Sequence, residues 1–123
     1  MRIIERESTA DGAGNVAVLA VAGELAGESV AAFRSQAMQK LEARPKLDIV
    51  LELSELDGID SQGLEAMLAL QDEAAAHLAH VRLAACPETL TTVLRLTRLT
   101  DRFDIDRNVE DALASLRAIG ANA

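Results

Sequence analysis

The eight residues "KLDIVLEL", 46–53, constrain the fold more than any other stretch of the chain. Leu47, Ile49, Leu51 and Leu53 alternate with Asp48 and Glu52. A period of two belongs to a β-strand, whose successive side chains face opposite ways. A strand alone leaves its N–H and C=O groups unpaired, so the rest of the chain must supply neighbours. "VAVLAVAG" (16–23) is a continuous apolar run of strand length and suits a buried strand. "RIIERE", "VRLAA" and "FDID" read as shorter strands. "DGAGN" (11–15) is a turn, because glycine permits positive φ and Asp and Asn bond locally to the backbone. The strands on either side of it are expected to pair as an antiparallel hairpin.

Helical spacing fills the intervals. Val30, Phe33, Ala37 and Leu41 form one apolar face. Gly27 or Ser29 starts that helix, and "ARP" ends it, since Pro45 disfavours a helical residue before it. A second helix is predicted from Ser61 to about His80, with Leu64, Met67, Leu68, Ala75 and Leu78 inward and Gln71 interrupting the face. Pro87 opens a third, with Leu90, Val93 and Leu94 inward. The fourth covers "NVEDALASLRAIG", capped by Asn108 and ended by Gly120, with Val109, Ala112, Leu113 and Leu116 inward. "SELDGID" reads as a loop. Strands separated by single helices form right-handed parallel crossovers. The expectation is one α/β domain over residues 1–119 with a short tail at 120–123. Its mixed sheet has about five strands, parallel at the centre with an N-terminal antiparallel hairpin, packed with about four helices.

Charge and composition exclude several classes of function. The formal net charge is −8, and an acidic surface repels phosphate backbones and anionic membranes. With two Phe and no Trp or Tyr, the chain lacks the stacking platforms of a single-strand nucleic-acid binder. Neither nucleic acid nor membrane insertion is expected, the apolar stretches being far shorter than a span. Cys86 is the only cysteine, so no internal disulfide forms, which fits a reducing compartment. "MRIIERESTADG" has no apolar core of a signal peptide, and a cytoplasmic location is expected.

"GIDSQGLEAM" (58–67) is the stretch with chemical interest. A hydrolase nucleophile elbow needs glycine two residues before and two after the serine; Gly63 is present but Ile59 stands at the earlier place. His77 lies ~24 Å along the same predicted helix, too far to act as a base for Ser61. "HLAH" with Cys86 offers no completed zinc set, and Cys86 reads as a small buried apolar residue. Glu52, Glu55, Asp57 and Asp60 lack the spacing of a cation loop and read as a solvated acidic loop. No phosphate-binding glycine motif is present, so no cofactor is expected and the chain reads as a non-enzyme. Ser61 is then either an N-cap or a switch. Its hydroxyl suits a cap. A helix N-terminus also tolerates a phosphate, and beside Asp57 and Asp60 the new charge would repel a partner docked on this loop.

The ordered set of pieces resembles the STAS domain family, and within it the free-standing bacterial anti-sigma factor antagonists. "VAGELAGESVAAFRSQAMQKL" is similar to the family's strand, Gly-Glu-Leu turn and first helix. "LDIVLELSELDGIDSQGLEAML" resembles its central strand, loop and serine-bearing helix start, and "VRLAACPETLTTVLRLTRLTDRFDIDRNVEDALASL" its closing elements. The family's Asp-Ser-x-Gly-Leu segment carries a phosphoacceptor serine, which the resemblance places on Ser61 in "DSQGL". Ala26 stands where family antagonists usually have an acid after Gly-Glu-Leu, and Gln62 where a small residue often follows the serine. The resemblance implies partner switching. The unphosphorylated chain binds an anti-sigma factor that is a serine kinase, phosphorylation separates them, and a serine phosphatase resets the cycle. The implied binding face comprises Glu24, Asp57, Asp60, Ser61, Gln62, Gly63 and Leu64. Alternatives of another class are an accessory STAS subunit of a phospholipid-type ABC transporter, or a scaffold domain of a signalling assembly.

Overall fold

The structure, a computed structural model, describes residues 1–8, 16–44 and 46–121. Strand β2 (Val16–Leu25) is the spine. Strand β1 (Arg2–Ser8) pairs with it antiparallel, Arg2 opposite Ala22 and Ser8 opposite Val16, as the hairpin reading expects. The "DGAGN" turn between them and Pro45 lie outside the described residues. Strand β3 (Asp48–Glu52) runs parallel to β2 on its other side, β5 (Val81–Ala84) parallel to β3, and β6 (Asp104–Asp106) parallel to β5. The main order is β1-β2-β3-β5-β6.

A sixth strand departs from the five expected. Leu56–Ile59, inside the segment read as a loop, forms β4 and pairs parallel with the far end of β2. Strand β3 ends at Glu52, the chain turns through Ser54 and Glu55, and β4 takes over alongside β2. The register shifts between Gly23 and Glu24, where Gly23 adopts φ 93°. A bulge of this kind bends a strand and re-aims its end.

Helices α1 (Glu28–Ala43), α2 (Ser61–Ala76) and α3 (Glu88–Leu96) pack with one face of the sheet. Val30, Phe33, Ala37 and Leu41 are all buried, as their spacing predicts, together with Leu47, Ile49, Leu51 and Leu53. Val50, of opposite parity on β3, is fully buried too. It belongs to a second core of Val16, Val18, Ala84, Ala112 and Leu116, closed by helix α4 (Val109–Ala121) on the opposite face. Asn108 caps α4 by accepting from the Asp111 N–H at 2.8 Å. The helix continues through Gly120, which the sequence reading makes its end, to Ala121.

Helix α2 is shorter than predicted and turned slightly on its axis. It ends at Ala76, and Leu70 and Ala74 are buried while Ala75 and Leu78 are exposed. The cause is a C-terminal stop. The Leu78 N–H donates to the Ala75 carbonyl and the Ala79 N–H to the Ala74 carbonyl, with Leu78 at φ 63°. These bonds define a Schellman motif, here with leucine where glycine is usual. Gln71 does not merely interrupt the face: its side-chain amide donates to the Arg102 carbonyl.

Candidate functional site

Strands β2 and β4 are parallel and end side by side, Glu24 opposite Gly58 and Leu25 opposite Ile59. Each then turns into a helix, β2 into α1 and β4 into α2. In open parallel sheets functional groups gather at these carboxyl ends of strands.

Helix α2 is capped by Asp60 rather than by Ser61, which corrects the cap reading of the serine. Pairing of Ile59 with Leu25 holds Asp60 extended (φ −105°, ψ −177°), and its N–H donates to the Leu25 carbonyl at 3.3 Å. That conformation is what an N-cap requires. One carboxylate oxygen accepts from the Gly63 N–H at 2.8 Å. The other accepts from the Gly27 N–H at 3.0 Å, across 33 residues of sequence. Bonding to Gly63 and then to Gly27 holds the Asp60 carboxyl below its ordinary value of 3.8, against a smaller opposing effect of desolvation. Ser61 is therefore the first residue inside the helix, with an exposed side chain.

The other expected site residues fall into two groups. Glu24, Asp57 and Gln62 are exposed around Ser61 in sequence and sheet register, while Asp60 is half-buried. Gly63 and Leu64 are buried, Leu64 at 7% exposure within the main core. Gly63 is a contact point. A Cβ there would lie 2.3 Å from the Leu25 carbonyl oxygen and 2.8 Å from Ile59 Cγ1. Only glycine lets α2 approach the end of β2 this closely.

Two residues outside the expected set complete the geometry. Gly27 is the N-cap of α1, at φ 57° and ψ −126°, a conformation open to glycine alone. The Ser29 hydroxyl accepts from the Ala26 N–H at 3.0 Å and lies 2.8 Å from both the Glu24 and Ala26 carbonyls, to which it can donate. The signal for both was "GELAGES", where a second glycine and a serine two residues later mark a loop fixed by side-chain bonds.

The histidines stand elsewhere: His77 lies 3.3 Å from Glu73 on its own helix, and His80 3.2 Å from Asp48. Among the described residues no group of three or more His, Cys, Asp or Glu is placed to hold a metal ion. Cys86 is partly buried against the main core, and burial pushes its thiol up to about 11. No helix among the described residues is long and apolar enough to cross a membrane.

This is an α/β domain that presents a serine at the start of a helix, beside the carboxyl ends of two parallel strands. The STAS domain family model matches residues 7–112, and the chain belongs to that family. Solved structures agree in fold. An anti-sigma factor antagonist from Mycobacterium paratuberculosis is similar at 20% identity and a TM-score of 0.81, over 94% of this chain and 93% of that one. The anti-sigma factor antagonist SpoIIAA in its unphosphorylated form is similar at 19% identity and 0.78, over 95% and 97%. The phosphorylated form of Bacillus SpoIIAA is similar at 17% identity and 0.66, over 94% and 99%.

Proposed function

We propose that this chain is an anti-sigma factor antagonist that works by phosphorylation-controlled partner switching. The observation that supports it most is the placement of Ser61, exposed on the first turn of α2 with Asp60 beside it as the cap. The existence of a SpoIIAA-type fold in both unphosphorylated and phosphorylated forms agrees with the reading. Unphosphorylated, the face around Glu24, Asp57, Asp60, Ser61 and Gln62 docks a serine-kinase anti-sigma factor, with Gly63 and Leu64 shaping the helix start from beneath. Ser61 Oγ attacks the γ-phosphorus of the kinase's ATP. An Oγ–P bond forms, the bond to the β-phosphate oxygen breaks, ADP leaves, and the hydroxyl proton passes to a base of the kinase. The chain supplies the nucleophile and the docking face, and the partner supplies the catalytic groups. The added charge joins Asp57 and Asp60 on an acidic rim and drives the partners apart. A phosphatase returns the hydroxyl.

The test uses Ser61→Ala and Ser61→Asp chains as baits for native partners, identified by mass spectrometry. A serine-kinase protein retained by Ser61→Ala and at least about tenfold weaker on Ser61→Asp is expected, within the usual range of coupling between a modification and a binding site. An aspartate at the first helical position favours the helix dipole, so its loss of partner does not reflect unfolding. Equal capture by both baits overturns the switch, as do transporter ATPase subunits on both.

A further inference from the structure

We infer that the Asp60 carboxylate is a two-armed latch, which carries the charge state of Ser61 into the turn Ala26–Gly27 beside Glu24. The inference rests on Ser61 being the modified residue, and it concerns how that modification reaches a second part of the docking face.

The geometry of the segment carries it. Four consecutive residues are held by side chains or by the Asp60 backbone. The Glu24 carbonyl lies within donating reach of the Ser29 hydroxyl, and the Leu25 carbonyl accepts from the Asp60 N–H. The Ala26 N–H donates to Ser29 Oγ, and the Gly27 N–H donates to Asp60 Oδ2. Ser29 belongs to the same helix start as the segment, so its bonds are local. Glu24 and Leu25 are also paired with Gly58 and Ile59 of β4, so beyond the strand the tie from another element is the Asp60 carboxylate on Gly27. The other oxygen of that carboxylate is committed to Gly63, in the first turn of the helix that bears Ser61. One charged group thus spans the two helix starts.

A carboxylate so placed responds to a neighbouring charge. A phosphoserine adjacent to it adds nearly two negative charges and three acceptor oxygens, which compete for the N–H groups of the first turn of α2. Like charges in contact raise the free energy of both, and the less strongly held arm yields first. The Gly63 bond is the shorter, at 2.8 Å against 3.0 Å, and closes the cap of its own helix. The Gly27 bond joins separate elements across an exposed gap and is the arm that opens. Gly27 lies at φ 57°, ψ −126°, and as a glycine it has other conformations open to it, so losing that bond lets residues 26–27 relax. That turn adjoins the exposed Glu24, whose carbonyl bonds to Ser29 in the same helix start. Phosphate on Ser61 therefore changes the docking face by rearranging it as well as by repulsion.

The test reads the Gly27 and Gly63 amides by NMR in the full-length chain: unmodified, with phosphoserine at position 61, and as Ser61→Ala and Asp60→Asn. In the unmodified and Ser61→Ala chains both amides are expected downfield and protected from exchange. Phosphoserine is expected to speed Gly27 exchange about tenfold or more, as removal of a charge-assisted bond does, with Gly63 little changed. Asp60→Asn keeps an oxygen for Gly63 but presents an NH₂ group to the Gly27 N–H. It is expected to reproduce the Gly27 effect alone, which a general loss of stability would not do. Gly27 exchange and shift unaltered by phosphoserine overturns the latch, as does equal loss at both amides. Neither readout uses a partner. Discrimination between the Ser61 baits with an unmoved Gly27 leaves partner switching standing without the latch, and an opened Gly27 with indiscriminate baits does the reverse.

Discussion

At the scale of single residues, Gly63 and Asp60 decide where α2 begins. Alanine at position 63 gains helix propensity, about 1 kcal/mol over glycine. Its Cβ would lie 2.3 Å from a backbone carbonyl oxygen, which cannot swing away as a side chain does. The clash wins, and Gly63→Ala is expected to destabilise the fold by about 2–3 kcal/mol net, read as a lower urea midpoint at unchanged slope. For Asp60 the folded carboxyl lies below its ordinary 3.8, so its stabilising effect is fully present above that value and is lost as pH falls through the folded one. The stability gap between the wild type and Asp60→Asn is therefore expected to be constant at neutral pH and to shrink from about pH 4 downward. A gap independent of pH to pH 2 would remove the two-bond picture of this carboxylate. "DS" offered the sequence two favoured caps in adjacent positions. Composition cannot separate them. The pairing of Ile59 with Leu25 does, by holding Asp60 extended, and that pairing is a long-range event.

At the scale of elements, what was legible had a clear period. The faces of α1 and α4 came through because each buries one regular stripe, and β3 because Asp48 and Glu52 mark its period even though Val50 is buried on the other face. Strand β4 did not. Its four residues "LDGI" include Asp and Gly, both poor in strands, and only Leu56 is buried, so there is no alternation to detect. It exists because the bulged end of β2 presents a pairing edge. The end of α2 was equally hidden, and α3 ends in the same way. Both finish in Schellman motifs whose left-handed residue is not glycine: Leu78 at φ 63° and Arg98 at φ 61°. A left-handed conformation costs such residues about 1–2 kcal/mol, while glycine costs about 0.5–1 kcal/mol in unfolded-state entropy. Leu78 is 82% exposed and gives up little burial when truncated. Leu78→Gly is thus expected to stabilise the chain by about 0.5–1 kcal/mol, visible as a rise of a few degrees in Tm. A fall in Tm would mean that Leu78 packs against something in solution.

At the scale of the whole molecule, the sheet separates two jobs. Helices α1, α2 and α3 pack with the face that supports the serine, while α4 seals the opposite face over Val16, Val18, Val50 and Ala84. This two-sided burial explains why "VAVLAVAG" is apolar at both parities, whereas "KLDIVLEL" keeps Asp48 and Glu52 toward the strand's ends. Leu116, 5% exposed, is the larger of the two buried side chains, Ala112 and Leu116, that α4 contributes to its core. Leu116→Ala is expected to cost about 2–3 kcal/mol, the lower part of the usual range, since this second core is small. The core it joins includes Val16 and Val18 at the start of β2, and seven residues of strand from Val18 to Leu25 separate that end from the site by ~23 Å. Changes so far apart with no shared partner add. The double variant Leu116→Ala with Asp60→Asn is therefore expected to lose the sum of the two single losses to within about 0.5 kcal/mol, by denaturant titration at neutral pH. Leu116→Ala alone, held below its own unfolding transition, is expected to leave the Gly27 and Gly63 amides where the wild type has them. A coupling larger than about 1 kcal/mol would show instead that the sheet transmits strain from the α4 face to the serine end, and that the two faces are not independent.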